Sequence, residues 1–115
     1  IKMSQVQIKY HVPVATKDGL ETIISQVRPI GPFAINRRPE KDGYNLTHAQ
    51  TGYAIMQCAP NIQLLKLLAH DLLERFSEPG FWDIPNPAAA KTEKYEPVNT
   101  FLRAWVVDHS DGILP

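Results

Sequence analysis

Between Phe33 and Cys58 three short strand-like runs are separated by two turn-rich breaks, and a long apolar stripe at helical spacing follows at once. Phe33-Ala34-Ile35-Asn36-Arg37 is the first run, Tyr44-Asn45-Leu46-Thr47-His48 the second, and Tyr53 to Cys58 the third. Pro39-Glu40-Lys41-Asp42-Gly43 and Ala49-Gln50-Thr51-Gly52 lie between them, rich in residues that favour turns. Connections this short join antiparallel neighbours, because a parallel crossover needs a dozen or more residues. The pattern predicts a three-stranded antiparallel meander. Pairing His48 with Tyr53 puts Tyr44, Leu46, His48, Tyr53, Ile55 and Gln57 on one face and Asn45, Thr47, Ala54, Met56 and Cys58 on the other.

The stripe that follows is Ile62, Leu65, Leu68, Ala69, Leu72, Leu73 and Phe76, with Pro60 or Asn61 to open it and Glu78-Pro79-Gly80 to stop it. It predicts a long amphipathic helix over 61–77, laid across one face of the sheet. Leu64 and Leu67 fall off the stripe, towards Asp71, as a second core contact or a partner surface.

The flanks are less determined. Val6, Ile8, Tyr10, Val12 and Val14 alternate with polar residues and Pro13, which reads as a strand ending at an edge or bulge. Leu20, Ile23, Ile24 and Val27 then follow i, i+3, i+4, i+7 spacing and favour a helix capped by Thr16 or Asp18, ended by Pro29. The competing reading turns the chain at Asp18-Gly19 and makes 20–27 a second strand. Pro79, Pro85, Pro87 and Pro97 preclude regular structure over most of 79–97, yet Phe81, Trp82, Ile84 and Tyr95 are too apolar for a free linker. An ordered loop along the domain is expected. Beyond it Val98, Phe101, Leu102, Trp105, Val106 and His109 share a helical face, with a strand over 100–107 as the alternative. The fold class is α+β: an antiparallel sheet of about four strands, the 61–77 helix across it, and a C-terminal helix beside a proline-rich connecting loop.

At 115 residues, with 43% hydrophobic and 21% charged, the chain has the size and composition of one globular domain, 1–115. One cysteine rules out an internal disulfide framework, and no apolar run reaches the roughly 20 residues of a membrane span. The first residues lack the apolar stretch of a signal peptide, so the cytoplasm is the expected location. Twelve basic residues balance twelve acidic ones. By halves, residues 1–57 hold seven basic against four acidic, and 58–115 five against eight.

Chemistry-bearing motifs are sparse. His11, His48, His70 and His109 stand too far apart for the tight local spacings of zinc ligands, so neither metal nor cofactor is implied. No phosphate-cradling glycine loop and no Gly-x-Ser-x-Gly elbow occurs. Cys58 lies near a helix start, where a thiolate is favoured, but a nucleophile also needs a base within reach. The meander register puts it opposite Gly43, about 17 Å along the strand from His48 and on the other face. A buried, structural Cys58 is expected. Asp108-His109-Ser110-Asp111 gathers oxygen and imidazole groups, yet reads as a polar helix C-terminus. Arg37, Arg38 and Lys41 at the first turn, with Tyr44 and Tyr53 on the following strands, have the makings of a nucleic-acid surface, set against a pI of 7.1.

No catalytic constellation emerges. The expectation is a small non-enzymatic interaction or regulatory module that binds another protein or a second copy of itself. Phe81, Trp82 and Ile84, in their proline-restricted loop, and the pair Leu64 and Leu67 are its candidate partner-binding residues. Trp82 could equally fold back and complete the core. A nucleic-acid binder using the basic turn is the first alternative, and a small enzyme using Cys58 or the Asp108–Asp111 cluster the second.

Overall fold

The computed structural model describes residues 10–16, 18–37, 42–86 and 88–109. Along them run β1 (Tyr10–Thr16), β2 (Gly19–Ser25), β3 (Phe33–Arg37), β4 (Tyr44–His48), β5 (Tyr53–Ala59), α1 (Ile62–Arg75) and α2 (Glu96–Asp108). The fold is α+β. Strands β3-β4-β5 form the antiparallel meander, while β1 and β2 make a separate antiparallel ribbon, so two sheets replace the single one of about four strands. No helix of the described residues is long and apolar enough to cross a membrane.

The helix favoured over 20–27 is instead strand β2. Gly19 turns the chain at φ 112°, in the region that favours glycine. Thr16 Oγ1 donates to the Gly19 carbonyl at 2.8 Å and accepts the Asp18 N–H at 3.2 Å, closing the hairpin from within. Thr22, Ile23 and Ile24 are β-branched, and so short a helix gains little once nucleated. The apparent helical stripe splits accordingly: Ile23 faces inward with Val12, whereas Leu20 and Ile24 face out.

Strands β3 and β4 pair without a slip, and His48 pairs with Tyr53 as the short loop dictates. Further along, β5 bulges twice, so that Leu46 faces Met56 and Tyr44 faces Ala59. The first bulge lets Ile55 and Met56, adjacent in sequence, both pack against the same core. Past it, Gln57 and Cys58 are exposed, and Cys58 takes a left-handed φ of 64°. The buried Cys58 expected from strict alternation is therefore corrected, because each extra residue resets the period of two.

Helix α1 crosses all three strands of the meander. The Asn61 side chain caps it by accepting the Leu64 N–H at 2.9 Å. Leu65, Leu68, Ala69 and Leu72 meet Phe33, Ile35 and Leu46 in the main core, each fully buried leucine contributing about 1.5–3 kcal/mol. The other face of the sheet is polar yet closed. Strand β1 lies against β5 and β2 against β3, which carries the ribbon across that face. Beneath it Thr47 Oγ1 donates to Asn36 Oδ1 at 2.8 Å, Asn45 Oδ1 accepts the Cys58 N–H at 3.3 Å, and the Ser25 hydroxyl donates to the Ile35 carbonyl. Among the described residues no buried side-chain polar atom lacks a partner, as burial requires.

The proline-rich stretch is ordered along the core, with short 3-10 turns at Ala89–Lys91 and Glu93–Tyr95 leading into α2. Val98 and Trp105 of α2 are buried, and Phe101, Leu102, Val106 and His109 half-buried, the face that the spacing gives. The Trp105 indole N–H donates to Asp71 at 2.8 Å and ties α2 to α1.

Candidate functional site

A cavity opens at the end of the meander where the proline-rich loop and α2 meet the sheet. The hairpin between β4 and β5 brings His48 and Tyr53 side by side, and the bulge adds Ile55. The loop supplies Trp82 and Ile84, the 3-10 turns Ala90 and Tyr95, and α2 Val98, Asn99 and Leu102. About 60 Å³ is open to the centre of a water molecule, room for about two waters or about two to three bonded non-hydrogen atoms.

His48 is the imidazole in its wall, only 1% exposed. Its Nε2 lies 2.7 Å from the Trp82 carbonyl, which can only accept, so Nε2 carries the proton. Nδ1 is then bare and accepts from Thr51 Oγ1 at 2.9 Å, and that same hydroxyl accepts the Tyr53 N–H at 3.1 Å. The chain of donors closes with a neutral imidazole. Burial pushes the His48 pKa below its usual 6.5, against smaller opposing effects of the Trp82 carbonyl and the Asp83 carboxylate. With both nitrogens committed, this histidine holds the loop to the sheet and offers no free base to a substrate. The Tyr95 hydroxyl is likewise engaged, donating to the Phe81 carbonyl at 2.7 Å.

The residues picked out from the sequence fall in several places. Phe81 and Ile84 are buried in the main core. Trp82 is half-buried: its ring lies edge-on to Phe33 at 4.8 Å, and its indole N–H donates to the Phe76 carbonyl at 3.1 Å. Leu64 is half-buried against the core, while Leu67 is 44% exposed. Tyr44 and Tyr53 both sit half-buried on the face that α1 covers, at opposite ends of the β4–β5 pair, and Arg37 is exposed across from Tyr44. Arg38 and Lys41 lie outside the described residues.

Cys58 and His48 are not brought together; Cys58 is exposed at the far end of β5. Asp108 ends α2 and His109 caps it, its ring stacked on Trp105 at 4.0 Å, while Ser110 and Asp111 lie outside the described residues. Among the described residues no three of His, Cys, Asp and Glu gather as a metal-holding group.

A second feature went unread in the sequence: the outer face of the ribbon. His11, Pro13, Leu20, Thr22 and Ile24 share it, with Leu20 62% and Ile24 54% exposed. Helical spacing hid it, since as a helix these leucine and isoleucine residues would have pointed into a core. In comparisons with known proteins, no family model, no curated protein and no solved structure matches this chain.

Proposed function

We propose that the chain is a small non-enzymatic interaction module that binds another protein through the outer face of the β1–β2 ribbon. The observation that carries this reading is the exposure of Leu20 and Ile24 two positions apart on one face, beside Pro13 and Thr22. A single exposed leucine is ordinary. Two large aliphatic side chains on a two-stranded ribbon, on a face with no acidic residue, lysine or arginine in either strand, form a patch that gains by being covered. The committed nitrogens of His48 support binding over catalysis.

The test is the double variant L20S/I24S. Both side chains already meet water, so its melting curve should stay within a few degrees of the parent's. Partner affinity should fall about 30-fold, the equivalent of about 2 kcal/mol for apolar anchors. Quantitative crosslinking in the host, followed by titration of the captured protein, reads that loss; sedimentation against concentration reads it where the partner is a second copy. Equal capture by parent and variant would remove the ribbon from the interface.

A further inference from the structure

The cavity beside His48 has features that protein docking on the ribbon does not use. Its walls are aliphatic and aromatic: Ile55, Ile84, Val98 and Leu102 with the ring of Trp82. Apart from the neutral His48, no lining residue is acidic or basic. An ion placed there would lose water and gain no countercharge, which disfavours it against a neutral guest. Two further lining residues carry unspent polar groups: Tyr53 and Asn99 make no side-chain hydrogen bond among the described residues. Asn99 is exposed on α2 and therefore stands at the mouth, whereas the imidazole and the Tyr95 hydroxyl, deeper in the wall, are saturated. A purely hydrocarbon guest would leave the two free groups to water alone. A guest with one neutral hydrogen-bonding group satisfies them while its apolar end fills the interior.

We infer that this cavity is a binding site for a small neutral molecule with a branched aliphatic body and one amide or hydroxyl group, held at its polar end by Asn99 and Tyr53. Room for about two to three non-hydrogen atoms fits an isopropyl group inside, with the polar group at the opening. The site is independent of the ribbon face and stands or falls without it.

Isobutyramide is the probe, with isobutyrate and isobutylammonium as charged counterparts of nearly the same shape. The readout is amide and indole NMR shifts of the full chain: the Trp82 indole N–H reports on the cavity, and the Trp105 indole, bonded to Asp71, serves as the internal reference. Isobutyramide should shift Trp82, Asn99 and Leu102 saturably, with a Kd of about 1 mM for so small a ligand. Trp105 should stay unmoved, and both ions should bind at least about tenfold more weakly. Ala90→Leu puts a side chain into the cavity and should abolish the response. Asn99→Ala, at an exposed helix position where folding is not at risk, should weaken it about threefold to tenfold, the worth of one hydrogen bond. Shifts that do not saturate, equal binding of isobutyrate, or an Asn99→Ala variant with undiminished affinity would each overturn the assignment.

Discussion

Replacing Trp82 with alanine separates a ring that completes the core from one that serves a surface. Truncating a fully buried tryptophan costs about 3–5 kcal/mol. Trp82 is half-buried, with its ring against Phe33, Phe76 and Phe81 at centroid distances of 4.8, 6.2 and 5.0 Å. The packing loss therefore falls below that range, at about 2 kcal/mol, because part of the ring already meets water. The indole N–H also satisfies the Phe76 carbonyl just past the end of α1, worth about 1 kcal/mol more. The backbone carbonyl that His48 holds survives the change, so that bond adds nothing to the loss. Together the expected cost is about 3 kcal/mol, or a fall in Tm of about 10 °C for a chain of this length. Trp82→Phe keeps most of the packing and loses the indole bond, for about 1 kcal/mol. Urea denaturation followed by circular dichroism measures both without relying on tryptophan emission. A Trp82→Ala variant within about 0.5 kcal/mol of the parent, the range of a plain surface change, would show that the ring does not support the fold.

Three further outcomes follow from local geometry. Gly43 has a φ of 102°, and a Cβ there would lie 3.1 Å from the Ala59 carbonyl oxygen and the Cys58 Cα, so Gly43→Ala should cost about 2 kcal/mol in thermal or urea melts. Cys58 is exposed, so a thiol reagent at neutral pH should label the native protein as fast as the unfolded one, and Cys58→Ser should change stability by under about 0.5 kcal/mol. The folded state disfavours protonated His48, so its contribution to stability is complete above about pH 6.5 and declines as pH falls from there toward the lowered folded pKa. A series of urea midpoints across that window reads the decline, which His48→Gln should abolish.

The meander and α1 were legible because each local signal there agreed with the others. Strand bounds at Phe33–Arg37 and Tyr44–His48, the His48–Tyr53 pairing and the Asn61 cap all follow from short-range chemistry: turn residues, a two-residue period, and a side-chain acceptor before an apolar stripe. Residues 20–27 misled because their apolar positions satisfy a helical template while their β-branched content and Gly19 favour a hairpin. Periodicity describes which residues would share a face if the element formed; it does not say that the element forms. The bulges in β5 were hidden for a different reason. They depend on the fit between neighbouring strands and the layers covering them, which no window along a single strand contains.

The cavity lies further from sequence than either. His48 to Tyr53 is a local pair, but Trp82, Tyr95 and Asn99 reach it only because the proline-rich loop folds back. Two long-range bonds register that return: His48 to the Trp82 carbonyl, across 34 residues, and Tyr95 to the Phe81 carbonyl, across 14. Both accept on the backbone, and a carbonyl carries no side-chain signature, so nothing in the residue types announces which one a histidine or tyrosine will find. The same bonds explain why the walls can stay open. A side chain free to relax would move partway into the space, as neighbours of a core deletion do, but Trp82 and Tyr95 are held by hydrogen bonds that such a shift would break. Hydrogen bonding fixes the frame and apolar contact lines it, which leaves the cavity clear of its own side chains.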